Sequence, residues 1–572
     1  MRNARGLLAA AVAMVGVAGV ARAGLTGSWN SYGGNSEHTA AAPAAADALQ
    51  TIAWHTHVDL NQHLVGGDLF THYGSPVITS VNTIVVPVKT GSDGGFKLNA
   101  YNAGTAVNPN ASTDPATLWT LASDYILPAH GWVPSFSPTL TPTSQIYYPG
   151  AGGSVFLKSD ANSASLTTSR LAFYGTYPSD STQQAFINSH VFIDTPITSD
   201  SSGNVYFGYK VVGDGTGNAT TITLPGGGTL SSGIARIDGT THVGTSVSVA
   251  TATNNDDAGT GASQVVYNCA PAIGANGKLY VAMSSGGEIG GHGYLVSLNA
   301  TTLAPVSHVA LVDPKHPLTS DSSHFANLPD DGTASPTIGP DGDVYFGVLD
   351  HVPENNDRGY LLHFSSDLAT QKTTGAFGWD DTVTVVPRSM LRTADLHGST
   401  SSYFLMTKYN NYAGGGLTGD GVNKIAIIDP NDLTALDGPS GLTLMDPVLQ
   451  IAGVTPDAEQ IAGHPNAVRE WCINNAVVDP LTDSILVNSE DGWLYRWDLS
   501  RPGSFTQRIN LNPPIGEAYT PTLVGPDGTV YAINDSVLYA IVPEPGTLGL
   551  VGFGGVMLGL RRRRKGRALG SV

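Results

Sequence analysis

Cysteine and charge are both scarce in this sequence. Only Cys269 and Cys472 occur in 572 residues, with no C-x-x-C pair, no haem-attachment C-x-x-C-H and no zinc-like Cys/His spacing. These absences exclude a disulfide-rich scaffold and a c-type haem site, but leave open one disulfide or two buried free thiols. Charged residues make up only 13% of the chain, which argues against long solvated helices.

Basic residues are also few, and a third of them lie at the two ends. Nine of the 27 are in the terminal segments: Arg2, Arg5, Arg22, Arg561, Arg562, Arg563, Arg564, Lys565 and Arg567. The body keeps 27 − 9 = 18 basic residues against 46 acidic ones, a net charge near −28. So acidic a surface repels phosphate backbones, which argues against nucleic acid as a partner.

What the chain does have is glycine and small polar residues. Its 69 glycines, with abundant Ser, Thr, Asn and Asp, are typical of many tight turns between short strands. The composition therefore predicts an all-β fold.

The first 23 residues have the layout of a signal peptide. A basic start is followed by an apolar run from Leu7 to Val20 and by Ala21-Arg22-Ala23, the small-x-small pattern that signal peptidase accepts. We expect cleavage after Ala23. The alternative is a membrane anchor, but the run is shorter than the roughly 20 residues that a spanning helix needs.

The last 31 residues, 542–572, form a second targeting segment. Pro543-Glu544-Pro545 precedes an apolar, glycine-rich stretch from Thr547 to Leu560 and a basic run from Arg561 to Lys565. This order resembles the PEP-CTERM sorting signal of Gram-negative bacteria. The resemblance implies transient insertion of the tail into the inner membrane and cleavage near Pro543 to Pro545 by an exosortase-type enzyme, leaving the body at the cell surface or outside the cell. A simple membrane tail is the alternative.

Residues 24–541 contain an internal repeat. Its first motif is Ser/Thr/Ala-Pro followed nine or ten residues later by Tyr, and the prolines are Pro138, Pro196, Pro271, Pro336 and Pro521. Asp-Gly or Asn-Gly turns such as Asn276-Gly277, Asp341-Gly342 and Asp527-Gly528 lie between these anchors. Each unit indicates a strand, a tight turn and a second strand. A second motif is an alternating apolar strand that ends at Asp or Asn, such as Gly293 to Asn299.

Degenerate first motifs at Ser75-Pro76, Val386-Pro387 and Asn475-Ala476 raise the count to eight. The series resembles quinoprotein-type, PQQ-like repeats, and predicts a single β-propeller of eight four-stranded blades. A strand around Trp54 is expected to complete the last blade and close the ring. Seven blades stay open because the Pro387 unit is irregular, and a β-sandwich array or a β-solenoid is the alternative fold.

The resemblance implies a binding surface at the rim of the central channel, where the segments before each Ser/Thr-Pro motif meet long connections rich in Gly, Asn and Asp. The candidate ligand-binding residues are Trp132, Asn268, Arg388, Glu470, Trp471, Asn474, Glu517 and Tyr519, with Cys269 and Cys472 in the same segments. Such side chains could stack on and hydrogen-bond sugar rings, or simply pack the channel.

Metal and cofactor signals are weak. His55 and His57 share one face of a strand near His63 and His72, but no spacing fixes a further ligand. Asn254 to Asp257 and Asp330-Asp331-Gly332 lack the twelve-residue calcium-loop pattern and are explained by turns. We therefore assign no metal and no cofactor.

The expected function is a non-catalytic binding or scaffold protein for a surface protein or polysaccharide. The quinoprotein resemblance implies an alternative, a dehydrogenase of alcohols or sugars that uses PQQ and calcium. The repeat A-x-D-x-x-T-G-K-x-x-W of that family is absent, as are a haem motif and a G-x-S-x-G elbow, so no catalytic residue is assigned.

Overall fold

The computed structural model describes residues 27–544, apart from gaps at 63, 66–67, 70–72, 92–93, 103–114, 128–135, 214–219, 256–259, 288–289, 317–323, 331, 352–354, 433–434 and 512–520. Within this part the chain is nearly all β and forms eight blades in a ring. Each blade is an antiparallel meander whose first strand lies innermost. The predicted eight-bladed propeller is confirmed.

Blades 1 to 4 follow one another along the chain. From the inside outwards, their strands are Val77–Ile78, Thr83–Lys89, Gly94–Asn102 and Thr117–Ile126; Thr139–Leu140, Ile146–Pro149, Ser154–Lys158 and Ser169–Ala172; Thr198–Ser199, Val205–Val211, Gly233–Ile237 and Gly244–Ser248; and Ala272–Ile273, Lys278–Ser284, Gly293–Asn299 and Pro305–Ala310. In blades 3 and 4 an additional short strand precedes the innermost strand in the chain and pairs with the same second strand. These additional strands are Val191–Ile193 and Gln264–Val265.

Blade 5 is the least regular. Its strands are Thr337–Ile338, Val344–Val348 and Tyr360–Phe364, and isolated bridges from Leu361 to Gly375 and from Phe364 to Gln371 supply the outer edge. Blades 6 and 7 have the strands Thr384–Pro387, Tyr403–Tyr409, Lys424–Asp429 and Asp446–Ala452, and Val477–Asp479, Ser484–Asn488, Trp493–Asp498 and Phe505–Asn510.

Blade 8 closes the ring as predicted. Leu523–Val524, Val530–Asn534 and Val537–Val542 come from the end of the chain, and Thr51–His57 supplies the outermost strand. Trp54 pairs with Ala540, and its indole packs between the rings of Tyr101 in blade 1 and Tyr531 in blade 8 at 5.8 and 5.7 Å. Closure therefore leaves no exposed sheet edge between the first and last blades.

Additional elements decorate the blades. Two helices, Ser181–His190 and Val249–Ala252, flank blade 3. Two-stranded hairpins pair Leu64–Val65 with Asp68–Leu69, Thr221–Thr223 with Thr229–Ser231, Ala413–Gly414 with Leu417–Thr418, and Ala435–Leu436 with Thr443–Leu444. Neither helix of the described residues is long and apolar enough to cross a membrane.

The chain before the first blade strand fills the central channel. Its backbone hydrogen-bonds the innermost strands of six blades, for instance Leu140 N to Asn30 O at 2.7 Å, Ile273 N to Ser36 O at 2.7 Å and Ala42 N to Val478 O at 2.8 Å. We call residues 27–47 the channel segment. Its backbone bonds go to the later residues of the innermost strands, whereas its Tyr32 hydroxyl reaches the segment before blade 6 and donates to Thr382 Oγ1 at 2.9 Å.

The channel segment fits because its residues are small or tightly turned. Ala40 and Ala42 are fully buried where the segment passes between strands. Gly33 has φ +64°, and a Cβ there would lie 2.8 Å from the backbone of His38. Only glycine satisfies both the left-handed conformation and this close approach.

One repeat start was placed wrongly. We expected Pro387 to begin the innermost strand of blade 6, but Pro387 ends this strand. Val385 is equivalent to Ile338 of blade 5, because each donates its backbone N–H to a carbonyl of the channel segment. The proline there follows the strand and precedes the single turn Arg388–Met390.

Candidate functional site

The open face of the ring is built from two kinds of connection. The segments that lead into the innermost strands lie there, and so do the connections between the second and third strands of each blade. In blade 7 they touch: Glu470 donates its backbone N–H to Glu490 Oε1 at 2.9 Å. We call this face the mouth.

A belt of hydrogen bonds joins neighbouring blades around the mouth. Asn268 N donates to Asp194 O at 2.9 Å, Ser335 N donates to Thr382 Oγ1 at 3.0 Å, and Thr382 N donates to Asn474 O at 3.1 Å. These bonds link blades 3 and 4, 5 and 6, and 6 and 7. The belt fixes the blades at the level where a ligand would meet the channel.

Three predicted rim residues turn out to be buried. Asn268 and Asn474 belong to the belt, where Asn474 Oδ1 accepts a bond from the Thr333 hydroxyl at 2.6 Å. Trp471 is 1% exposed and packs against Tyr495 and Phe505 at 5.6 and 5.7 Å. The structure therefore shows these three residues in packing and bonding positions, with no open aromatic face at Trp471.

Arg388 lies elsewhere. It follows the innermost strand, so it lies at the end of the channel away from the mouth, where its guanidinium donates to the carbonyls of Ser399 and Ser401. The misplaced start of that repeat explains the wrong placement. Trp132, Glu517 and Tyr519 lie outside the described residues, as do Ala21, Ala23 and Pro545.

Glu470, Cys472 and Glu490 form a compact polar cluster at the mouth. One donor atom from each side chain lies within 4.8 Å of the others, and the Cys472 thiol donates to Glu490 Oε2 at 3.5 Å. Arg469 Nη1 is 3.8 Å from Glu490 Oε1. Sequence reasoning found Glu470 but missed Glu490, which lies in a turn without a motif.

Burial controls the chemistry of this cluster. Burial and the charge of Asp457 raise the pKa of Glu470 to about 7, and burial and the charge of Glu470 raise the pKa of Glu490 to about 8. Near neutral pH the pair therefore holds protons and can donate as well as accept hydrogen bonds.

A polar cavity opens between blades 5 and 6. It has a volume of about 130 Å³ and is lined by Arg358, Tyr409, Asn410, Asn411, Asp420, Val422, Lys424, Asp437 and Pro439. The Arg358 guanidinium is buried, lies over the Tyr409 ring at 5.0 Å and pairs with Asp437 at 2.9 Å. Its Nε is buried without a hydrogen-bond partner.

The cavity connects to the Glu470 cluster through one amide. Asn410 Nδ2 donates to Trp471 O, and Trp471 N donates to Asn410 Oδ1, both at 3.2 Å. Trp471 lies between Glu470 and Cys472 in the chain. A ligand in the cavity would therefore be linked to Glu470 and Cys472 through Asn410 and the backbone of Trp471.

The two cysteines do not pair. Cys269 is fully buried in blade 4, where its sulfur accepts the Ala282 N–H at 3.4 Å, and burial raises the pKa of its thiol to about 12. Cys472 lies in the segment before blade 7 and forms no disulfide with Cys269.

The histidines near the N-terminus form no described metal centre. His55 packs against the Tyr539 ring at 5.9 Å on the outermost strand of blade 8, and His57 on the same strand is exposed. His63 and His72 lie outside the described residues.

Polar side chains at the mouth are hydrogen-bonded to one another. The side-chain oxygens of Asp380 and Asn474 accept bonds from Thr333, and Lys408 Nζ donates to the Asp380 carbonyl at 2.6 Å. Oxygen atoms of this kind are also the ligands that calcium prefers.

Comparison with known families identifies the tail. Residues 542–565 match the PEP-CTERM protein-sorting motif. The chain carries an exosortase sorting signal. The motif marks an exported protein that is processed at its C-terminus by an exosortase, as the order of the Pro-Glu-Pro, apolar and basic parts predicted. A comparison with curated proteins found no match.

Solved structures that match this chain include two dehydrogenases and a yeast protein. A quinohemoprotein alcohol dehydrogenase from Comamonas testosteroni has 11% identity and a TM-score of 0.47, over 92% of this chain and 83% of that one. A europium-containing methanol dehydrogenase has 12% identity and a TM-score of 0.47, over 88% and 89%. Sqt1 of Saccharomyces cerevisiae has 11% identity and a TM-score of 0.40, over 88% and 100%. At these identities and TM-scores the likeness carries no conclusion about what this chain does.

Proposed function

We propose that this exported propeller is a non-catalytic binding or scaffold protein at the cell surface or in the extracellular matrix, and that its partner is a polysaccharide or a surface protein. The cavity beside Arg358 carries this proposal and favours a polysaccharide. A guanidinium, an ammonium group, two amides and a tyrosine lie around a space large enough for about one sugar ring. These groups recognise hydroxyls and ring faces.

Charge and topology support the choice of the mouth. The channel segment fills the channel up to the belt, where the Tyr32 hydroxyl donates to Thr382 Oγ1 at 2.9 Å, so we expect a ligand to approach the belt from the mouth. The acidic body disfavours polyanions, whereas the cavity itself balances Arg358 and Lys424 against Asp420 and Asp437. A neutral or weakly charged glycan suits this balance.

The test is a glycan array probed with the full chain, followed by affinity measurements on variants. Lys424→Ala and Asn411→Ala should each weaken glycan binding about tenfold, since each removes a lining donor. Arg501→Ala removes an equally positive, exposed side chain outside the cavity and should leave binding unchanged.

Three outcomes separate the alternatives. Glycan binding that tolerates both cavity variants would place the site elsewhere. A silent array with a purified protein partner bound at one copy per chain would identify a protein scaffold instead. Dye-linked oxidation of alcohols or sugars after addition of PQQ and calcium would overturn the non-catalytic proposal.

A further inference from the structure

Four histidines lie together at the mouth between blades 4 and 5. His292 precedes the third strand of blade 4, His351 follows the second strand of blade 5, and His316 and His324 belong to the connection between these blades. The ring centres of His292 and His351 are 6.2 Å apart, those of His324 and His351 are 6.3 Å apart, and those of His316 and His324 are 5.4 Å apart. All four are half-buried, so a small solute can reach them.

The backbone beneath these rings is held firmly. Ala326 N donates to Leu311 O at 3.0 Å, and Asn327 and Leu349 exchange backbone bonds at 3.0 and 3.1 Å. The strand-like segment from Phe325 to Leu328 thus lies between the two blades. It presents the carbonyls of Phe325 and Ala326 to the histidines on either side.

Those carbonyls determine which ring nitrogen carries the proton. His292 Nδ1 is 3.3 Å from Ala326 O, and His351 Nδ1 is 3.1 Å from Phe325 O. A carbonyl oxygen can only accept, so Nδ1 must be the donor in both rings. In the neutral imidazole this leaves the lone pair on Nε2. Metal-binding histidines typically have this arrangement, in which a carbonyl fixes the tautomer and the ring orientation.

His324 offers a third nitrogen. Its Nδ1 is buried and has no hydrogen-bond partner. A buried imidazole nitrogen without a partner loses hydration, and a bound cation would restore that loss.

Sharing one ion requires the three rings to move closer together. Each ligating nitrogen lies about 2.0–2.1 Å from zinc, so imidazoles that share a tetrahedral ion have ring centres roughly 5–6 Å apart. The observed 6.2 and 6.3 Å separations around His351 exceed this range, so the rings would have to approach one another when the ion binds. The buried Asp313 carboxylate accepts the His351 backbone N–H at 2.8 Å and adds negative charge nearby.

We propose that His292, His324 and His351 bind one divalent transition-metal ion of the class that prefers imidazole, represented by Zn²⁺. The ion joins blade 4, blade 5 and their connection at the mouth, and keeps one coordination position open. This site is separate from the Glu470 cluster, which would contribute a sulfur ligand.

The test uses the full chain and ZnCl₂. Calorimetric titration should give one ion per chain, and zinc absorption spectroscopy of the unmodified protein should show nitrogen neighbours at about 2.0–2.1 Å with imidazole scattering. His292→Gln and His351→Gln should each weaken binding at least tenfold. His397→Gln, at an exposed histidine that pairs with Asp446, is the matched control and should not change binding.

Each other outcome overturns the proposal. A sulfur neighbour at about 2.3 Å, with binding lost in Cys472→Ser, would place the ion at the Glu470 cluster. Zinc binding that both histidine variants retain would exclude the site. The absence of binding at about 1 mM Zn²⁺, which corresponds to a binding free energy weaker than about −4 kcal/mol, would also exclude it. The spectrum of the unmodified chain decides the ligand set even if a variant does not fold.

Discussion

Ile338 donates its backbone N–H to the carbonyl of Glu37 at 3.0 Å, which ties the innermost strand of blade 5 to the channel segment. Equivalent bonds reach blades 1, 2, 4, 6 and 7, so one stretch of chain contacts most of the ring at its centre. Inner strand edges otherwise face an open channel and have unsatisfied backbone groups. The channel segment is therefore part of the core, and its loss should loosen the whole ring.

Gly33→Ala should test the channel segment. The substitution forces an alanine into the left-handed conformation and places its Cβ 2.8 Å from His38. We therefore expect a loss of about 2–4 kcal/mol in the free energy of unfolding. Gly227→Ala is the matched control, since Gly227 has φ +89° with nothing within 4 Å of a Cβ. It should cost about 1 kcal/mol. Equal urea midpoints for the two variants would show that the close approach does not matter.

Ring closure predicts a second difference in stability. Trp54→Ala removes an indole that is 2% exposed between blades 1 and 8, and should cost about 3–5 kcal/mol. His57→Ala, on the same strand with an exposed side chain, should stay within about 0.5 kcal/mol. Urea unfolding of both variants measures this. A Trp54→Ala cost no larger than the His57→Ala cost would mean that the blades stay closed without this contact.

The propeller was predictable because its repeat is local. Pro271, Pro336 and Pro521 each lead into an innermost strand as expected, since proline and the following turn dipeptide act within a few residues. The strand around Trp54 was also predictable, because an incomplete last blade needs one more strand. Pro387 misled because it stands alone, without the turn that accompanies the others.

The site was much less predictable. The channel segment lacks the hydrophobic periodicity of a strand or a helix, and its hydrogen bonds go to residues up to hundreds of positions away. No local sequence pattern therefore predicts its position. Glu490 and His351 lie in connections that only the folded blades bring beside Glu470 and His292. Trp471 shows the opposite error, because an aromatic residue before a repeat start fits packing as well as binding.

The cysteines should titrate as two thiols that form no disulfide. After unfolding without reductant we expect two reactive thiols per chain, because Cys269 and Cys472 lie in different blades and are not joined by a disulfide. In the native protein Cys269 should stay unreactive near neutral pH, since burial raises its pKa to about 12 and the thiolate is the reactive form. Ellman titration of the wild type and of Cys472→Ser assigns each thiol. Fewer than two thiols in the unfolded wild type would show a disulfide.

Glu490 should make stability fall as the pH rises. Its pKa increases from 4.5 unfolded to about 8 folded, and that of Glu470 to about 7. Between these values the folded state binds more protons than the unfolded state, so the stabilisation present below about pH 4.5 is lost as the pH rises through about 8.

Glu490→Gln tests this pH dependence, because it removes one of the two titrating carboxyl groups and its negative charge beside Glu470. We expect it to be about 1–3 kcal/mol more stable relative to wild type at pH 8.5 than at pH 5. Urea midpoints across this range measure the difference. Glu459→Gln, at a 73% exposed carboxylate that also neighbours Arg469, is the control and should change the profile much less than Glu490→Gln. A Glu490→Gln profile parallel to wild type would mean that the pair ionises normally in the folded protein.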